Sequence, residues 1–219
     1  MNVERKTQAA RSAATRDALI TAARRLFAER GYADVGTEEI VRTAGVTRGA
    51  LYHHFPDKLA LFAAVFEALE TDVAARIAAA AGRERDPDPI AIMRAGVAAW
   101  LDACAEPEVH RIMLTDAPAV LGWERWVEIS NRHNMGLAQA LLEAAMDVGR
   151  VPRQPVTPLA HTLIGAVREA AMYLARAADQ RRARREIGYV MDQLLAGLAS
   201  EPAPVTPSAG ARARSRRRG

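Results

Sequence analysis

Five neighbouring residues have the side chains that a helix needs to read DNA bases: Arg48, Gly49, Ala50, Tyr52 and His53. Arginine can pair with guanine in the major groove, and the Ala50 methyl group can contact a thymine methyl group. The two small residues permit a close approach, and the two rings can reach phosphates. Because Leu51 and Phe55 are four residues apart, they share one face of a helix. We expect them to anchor this helix while the five others point outward.

The residues before this helix predict a second short helix and a sharp turn. Thr37 is expected to be the N-cap of the first helix, because its hydroxyl can accept a free amide hydrogen. Gly45 stands where that helix should end, since glycine tolerates the left-handed conformation. Thr47 is a second predicted N-cap. The pair forms a predicted helix-turn-helix over residues 36–55, with Thr37 and Thr47 as candidate phosphate contacts.

Lys58 is a further candidate phosphate contact. Pro56 is expected to end the recognition helix and Asp57 to cap the next one, which leaves Lys58 at that helix's start. A cation there opposes the helix dipole, and Lys58 is one of only two lysines in the chain. Both facts favour a phosphate partner, and a solvated side chain is the alternative.

The stretch AGVTRGALYHHFPDK, residues 44–58, resembles the recognition-helix signature of the TetR family of transcriptional repressors. The upstream stretch TRDALITAARRLFAERGYADVGTEEI resembles that family's first helix and the start of its second. Farther on, TDAPAVLGWERW resembles a connection found in one subgroup. The resemblance implies a DNA-binding domain over residues 13–73 and an all-helical domain over residues 74–200. It further implies that the second domain dimerises and holds a small ligand that relieves repression.

Composition independently favours an all-α fold. Half of the 219 residues are hydrophobic and only 5% are aromatic, and alanine, the best helix former, is abundant. No apolar run is long enough for a membrane span, and the N-terminus lacks the apolar core of a signal peptide. The single cysteine, Cys104, excludes an internal disulfide and fits a reducing cytoplasm. We interpret Cys104 as a small core residue.

Charge is unevenly distributed along the chain. Residues 1–58 carry ten Lys and Arg against seven Asp and Glu, whereas residues 59–200 carry fifteen against eighteen. Residues 201–219 carry five against one. This division predicts nucleic acid at the N-terminal end. We expect a flexible basic arm at residues 1–12, either reaching a minor groove or simply disordered, and a disordered basic tail at residues 201–219.

Apolar periodicity predicts about nine helices. The first is expected at residues 16–30 and the fourth at 58–80, long enough to enter the body of the protein. Asp88 and Pro89 should start the fifth. A short sixth helix begins at Pro107 and is broken at residues 116–118. The last three are expected at 122–148, 157–178 and 183–199.

No residue pattern typical of catalysis or of a cofactor site occurs. The histidines are His53, His54, His110, His133 and His161, and none belongs to a zinc-binding or phosphate-binding motif. The adjacent His53 and His54 are better explained by the recognition helix than by a metal. We therefore expect neither an enzyme nor a bound cofactor.

A ligand pocket is expected between the helices of the body, where apolar clefts are common. The candidate lining residues are Trp100, His110, Met113, Trp126, His133, Glu169 and Met172. The alternative is that the tryptophans and methionines form core and that the polar residues face water. The last two helices carry more apolar surface than a small bundle needs, so they should pair with a second copy. The candidate dimer residues are Ala166, Ala170, Ile187, Met191, Leu194 and Leu198.

These observations predict a homodimeric repressor that leaves a palindromic operator when a small, largely apolar effector binds. Two alternatives stay open. One is a regulator of the same fold that has no effector or that activates transcription. The other is an all-helical enzyme with a helix-turn-helix attached.

Overall fold

The computed structural model describes residues 2–85 and 87–199, with side chains from Gln8 onward. Every regular element in these ranges is helical, as the composition predicts. The elements are α1 (Asn2–Arg30), α2 (Thr37–Ala44), α3 (Arg48–His54), α4 (Lys58–Ala81), α5 (Pro89–Cys104), α6 (Pro107–Val109), a π-helical segment (His110–Asp116), α7 (Ala117–Leu121), α8 (Trp123–Asp147), α9 (Val156–Arg176) and α10 (Gln180–Leu198). The basic tail predicted at residues 201–219 lies outside the described ranges.

The N-terminal part is a three-helix unit held on the start of α4. Leu19, Phe27, Ile40 and Leu51 are fully buried where α1, α2 and α3 meet. The Phe27 and Phe62 rings pack edge to face with centroids 5.4 Å apart, which joins α1 to α4. This packing leaves the outer faces of α2 and α3 in solvent.

Helix α4 continues from this unit into the body of the protein, as its unbroken apolar period predicts. It packs against α1 at one end and against α5 and α8 farther on. The same core extends from Phe66 through Val73 to Cys104, Ile112 and Trp126. The two parts therefore share one core across the boundary predicted near residue 73.

In the N-terminal part, three helix ends match their predicted caps and one does not. Gly45 ends α2 with φ of 67°, Thr47 Oγ1 accepts from Ala50 N at 3.2 Å, and Asp57 Oδ1 accepts from Ala60 N at 2.6 Å. The prediction that Thr37 caps α2 is wrong. Gly36 is the N-cap, with extended backbone and no side-chain acceptor, and Thr37 is already helical.

Two segments that were predicted not to be helical are helical in the structure. Residues 2–12 form the beginning of α1 instead of a flexible arm, because no glycine or proline interrupts residues 2–30 and alanine is frequent there. The expected break at residues 116–118 is also wrong. The chain stays helical from Pro107 to Leu121, and Pro118 lies within this run, just after the π-helical segment ends at Asp116.

No described helix is both long enough and apolar enough to cross a membrane.

Candidate nucleic-acid interface and interior pocket

Helix α3 presents the predicted reading face to solvent. Leu51 is fully buried and Phe55 nearly so, which fixes the rotation of the helix. Arg48, Gly49, Tyr52 and His53 are exposed, and Ala50 is half-buried. The Thr47 cap holds the first turn in place. The exposed set is therefore displayed as one surface by a helix with little rotational freedom.

Arg48 has only weak partners in this surface. Its Nη1 lies 3.7 Å from Glu38 Oε1, and both side chains are mostly exposed. Its guanidinium also lies over the Tyr52 ring, 5.6 Å from the centroid. An exposed ion pair contributes roughly 0–1 kcal/mol, so little free energy opposes the transfer of Arg48 to a guanine.

Gly49 is not required by the fold. A Cβ added at this position would meet only Thr47 Oγ1, at 3.9 Å, which is an ordinary contact. Gly45, by contrast, has a positive φ that L side chains rarely adopt. The fold therefore accepts alanine at position 49 without strain.

Lys58 is placed at the start of α4 but is not simply solvated. Its Nζ lies 4.1 Å from the centroid of the Tyr32 ring, and partial burial lowers the pKa of the ammonium group. Thr37 is half-buried and Thr47 is exposed. Their phosphate contacts remain predictions.

Sequence reasoning missed Arg16 as a neighbour of this surface. Its guanidinium lies over the Phe55 ring, 5.4 Å from the centroid, and the side chain is exposed. Arg16 and Phe55 are far apart in sequence, so only the packing of α1 on α3 brings them together. No local pattern could have identified this pair.

A mostly apolar cavity of about 160 Å³ lies in the body of the protein. Helices α4, α5, α8, α9 and α10 and the π-helical segment supply its walls. Trp100, Met113 and Trp126 line it together, so three of the seven candidate pocket residues converge there. Its size is close to that of an engineered cavity of about 150 Å³ that binds benzene.

The other four candidates are not among the residues lining this cavity. His110 lies 2.9 Å from the Ala175 carbonyl oxygen, and its Nε2 donates to that oxygen. Met172 packs on the main core. Glu169 is exposed, and His133 is half-buried. The sequence of an alanine-rich helix does not show clearly which face of the helix is buried. On α9, Arg168 lines the cavity, whereas Glu169 points about 100° away around the helix axis.

Glu70 is the principal polar group of the cavity, and the sequence analysis missed it. It is 2% exposed. Ser130 Oγ donates to its Oε1 at 2.6 Å, and Asn134 Nδ2 lies 3.5 Å from its Oε2. Burial raises the pKa of the Glu70 carboxyl group, while the two hydrogen bonds and the charge of Arg168 oppose that rise. The sequence could have identified Glu70, because its carboxylate lies within the apolar stripe of α4.

Arg168 supplies a second polar group to the cavity wall. Its Nη2 donates to Asn131 Oδ1 at 3.1 Å, and its guanidinium lies 5.6 Å from the centroid of the Trp126 ring. Burial lowers the pKa of this guanidinium, and the charge of Glu70 opposes the shift. Trp100 Nε1 is buried without a hydrogen-bond partner among the described residues, which costs roughly 1–3 kcal/mol until an acceptor arrives.

Matches to known families cover most of the chain. Residues 19–65 match a family described as bacterial regulatory proteins, tetR family, and residues 90–198 match a tetracyclin repressor-like C-terminal domain. The crystal structure of a TetR-family transcriptional regulator from Pectobacterium atrosepticum is 35% identical, with a TM-score of 0.78. That match covers 88% of this chain and 98% of the other. This chain belongs to the TetR family of transcriptional regulators.

Two other similar proteins match this chain over different lengths and at different identities. The HTH-type transcriptional repressor BepR of Brucella suis biovar 1 is 36% identical over 111 residues, which are 51% of this chain and 52% of BepR. The chain spans about half the length of the curated relatives it matches. RolR, crystallised in complex with resorcinol, covers 90% of this chain at 23% identity, and 98% of RolR is covered with a TM-score of 0.63. At that identity the likeness shows the fold alone.

In this TetR-family chain, the predicted dimer face is partly misplaced. Met191 is 2% exposed and Ala170 is 3% exposed, so both belong to a core inside the protomer. Ala166 and Ile187 pack against that core, and Leu198 packs against a neighbouring one. Only Leu194, at 49%, is an exposed large apolar residue from the predicted set.

A different apolar stripe lies on the outer side of α9 and α10. Its exposed members are Tyr173, Tyr189, Val190 and Leu194. On α9, a Cβ built at Gly165 would meet nothing within 4 Å. On α10 the exposed residues include the predicted Leu194 together with Tyr189 and Val190, which the prediction did not name, whereas the predicted Met191 is buried.

Chemistry by metal or thiol finds no support in the described part of the chain. No three His, Cys, Asp or Glu side chains converge there to hold a metal ion. Cys104 is fully buried, as predicted for a core residue. Burial raises the pKa of its thiol well above the ordinary value, which leaves the group unreactive.

Proposed function

We propose that this chain is a DNA-binding transcriptional repressor that acts as a homodimer in the cytoplasm. The single observation that carries the proposal is the exposed face of α3, where an arginine with weak partners stands beside a glycine that the fold does not need. Membership of the TetR family supports the same reading.

In this proposal, α3 enters the major groove of an operator. Arg48 reads a guanine, and Ala50 contacts a thymine methyl group. Tyr52 and His53 lie at the edge of the same face. Thr37, Thr47 and Lys58 bind phosphates and set the register of the helix, which carries no sequence information by itself.

A second copy is needed to bind two half-sites. Recognition helices on one side of the duplex must be about 34 Å apart, or a multiple of that distance. The stripe of Tyr173, Tyr189, Val190 and Leu194 supports a dimer contact through α9 and α10. A palindromic operator follows from such a two-fold pair.

The cavity supports regulation by a small, largely apolar effector. Met113 and Leu114 of the π-helical segment line the cavity, and Asp116 at the end of that segment accepts a hydrogen bond from Tyr32 N at 2.8 Å. Tyr32 in turn holds Lys58. A ligand that shifts this segment would therefore move the DNA-binding unit, and it lowers DNA affinity if it favours another spacing. RolR shares this fold and was crystallised with resorcinol.

Selection of bound sequences from a random DNA library tests the proposal. We expect a palindromic consensus with two half-sites, and an effector screen on that DNA should then yield molecules that release the protein. Ala138→Phe, which fills the cavity, should weaken release without changing DNA affinity in the absence of effector. Ala140→Phe on the exposed side of the same helix is the matched control.

The same experiment separates the alternatives. A consensus with no releasing ligand would favour a regulator without an effector, and increased transcription from the operator would indicate an activator. The absence of any preferred sequence would contradict the proposal itself. Turnover of a bound molecule would indicate an enzyme, which no observation on this chain favours.

A further inference from the structure

The cavity contains one group of each charge, and they do not form an ion pair. Glu70 and Arg168 both line it. No Glu70–Arg168 ion pair within 4.0 Å occurs in the described part of the chain, although each group shifts the other's titration. Arg168 donates instead to the neutral Asn131. When Glu70 is ionised, the two groups together have no net charge.

A charged ligand would satisfy only one of these two groups. An ammonium group beside Glu70 would leave a second cation close to Arg168, and a carboxylate beside Arg168 would leave a second anion close to Glu70. Repulsion between like charges is strong where water is scarce. A hydroxyl group has one donor and two acceptor lone pairs. A hydroxyl group can therefore donate a hydrogen bond to Glu70 and accept one from Arg168 without adding charge.

The size of the cavity limits the rest of the molecule. About 160 Å³ is enough for one ring with short substituents. Most of the remaining walls are apolar side chains, among them Ile77, Val97, Leu141 and Val167. Ser130 and Asn134 also line the cavity but already bind Glu70, so Trp100 Nε1 is the one wall donor without a partner among the described residues. A ligand with further polar groups would lose their hydrogen bonds to water on entering.

We infer that the effector is an uncharged single-ring molecule whose hydroxyl group donates a hydrogen bond to the Glu70 carboxyl group and accepts one from Arg168. This inference rests on the proposed function in one respect only, namely that the cavity is the effector site.

Four matched probes test the inference: benzyl alcohol, benzoate, benzylammonium and toluene. They share one ring and differ in the polar group. Binding to the full chain is followed by tryptophan fluorescence at neutral pH, without DNA, because Trp100 and Trp126 line the cavity. We expect benzyl alcohol to bind about tenfold or more tightly than the other three, since a site built for a hydroxyl group rejects analogues that lack it.

Two variants assign the polar contacts. Glu70→Gln keeps an acceptor and removes the negative charge, so it should retain benzyl alcohol and accept benzoate several-fold better. Arg168→Met keeps the apolar stem, so it should lose benzyl alcohol several-fold and accept benzylammonium better. Glu143→Gln and Arg125→Met change exposed side chains outside the cavity, and they should leave all four affinities unchanged.

The outcomes are decisive in both directions. A preference for benzoate or benzylammonium, equal binding of all four probes, or no binding up to the solubility of benzyl alcohol would overturn the inference. A preference for benzyl alcohol that neither variant alters would also overturn it. Because DNA is absent from the titration, a failure to bind an operator counts only against the proposed function.

Discussion

The DNA-reading face and the interior cavity use opposite structural strategies. The reading face comes from consecutive residues on one short helix, which Leu51 and Phe55 hold in place. The cavity takes its walls from five helices and the π-helical segment, spread from Glu70 to Leu195. Of its charged groups, Glu70 is buried and Arg168 is half-buried. The first surface is defined by local structure, and the second exists only after the whole body has packed.

This difference predicts which substitutions uncouple binding from folding. Side chains on the reading face carry little of the folded state's free energy, because they make few contacts. Groups in the cavity influence both stability and ligand binding, because they are desolvated.

Leu194→Asp should have the largest effect, through loss of the dimer. Leu194 is 49% exposed in the protomer, so the charge should not disturb a monomer's core. In a dimer it would be buried without a partner. Loss of the second half-site should weaken operator binding by about 10²-fold or more. Sedimentation at micromolar concentration and DNA titration measure both effects.

Val148→Asp is the control for this change, since Val148 is exposed at the end of α8, away from the proposed interface. It should stay dimeric and bind DNA normally. A dimeric Leu194→Asp protein would show that the pair forms through another surface.

Arg48→Ala should cost about 1–3 kcal/mol on the preferred operator and relax the sequence preference at one base pair. Thermal stability should change little, because the Arg48 ion pair is weak and exposed. Arg42→Ala removes another exposed arginine, from α2, and serves as the control. Equal losses on operator and random DNA would identify Arg48 as a phosphate contact.

How well each region could be predicted follows from the same contrast. The caps at Gly45, Thr47 and Asp57 and the pair Leu51 and Phe55 set the phase of α3 within a few residues. The structure therefore agrees with the predicted outward face. The prediction that Thr37 caps α2 was wrong, because Gly36 has the extended backbone of an N-cap and needs no side chain for that role.

In the body, rotation of the helices decides each assignment, and the sequence defines rotation weakly. On α10, Val190 and Leu194 are exposed while Met191 and Leu195 are buried, although all four are apolar. On α9, Glu169 was chosen for its charge, whereas its neighbour Arg168 lines the cavity. Glu70 could have been found, because a carboxylate among Phe66, Leu69 and Val73 has to be buried with partners.

Gly49→Ala should separate DNA binding from stability. Replacing a helical glycine by alanine stabilises a helix by roughly 0.5–1 kcal/mol, and the added Cβ has room at position 49. The melting temperature should therefore rise slightly. Operator affinity should fall, because the methyl group would meet the DNA that we place against this face.

Gly136→Ala is the matched control, since it lies within α8 and a Cβ there meets nothing within 4 Å. It should gain the same stability and keep full DNA affinity. Unchanged operator binding by Gly49→Ala would show that position 49 does not touch the groove.

Glu70→Gln should change stability to an extent that depends on pH. Burial raises the folded-state pKa of Glu70 above its ordinary value of 4.5. Between these two pKa values the folded state binds more protons than the unfolded state, so wild-type stability falls as pH rises through that window. Glutamine has no such titration and keeps an acceptor for Ser130. The stability difference between wild type and Glu70→Gln should therefore shift in favour of the variant from about pH 4.5 upward, levelling off above the folded-state pKa of Glu70. Urea unfolding of both proteins at a series of pH values measures this difference. A constant difference across the series would mean that Glu70 titrates equally in both states. In that case the cavity would be more hydrated than its apolar walls indicate.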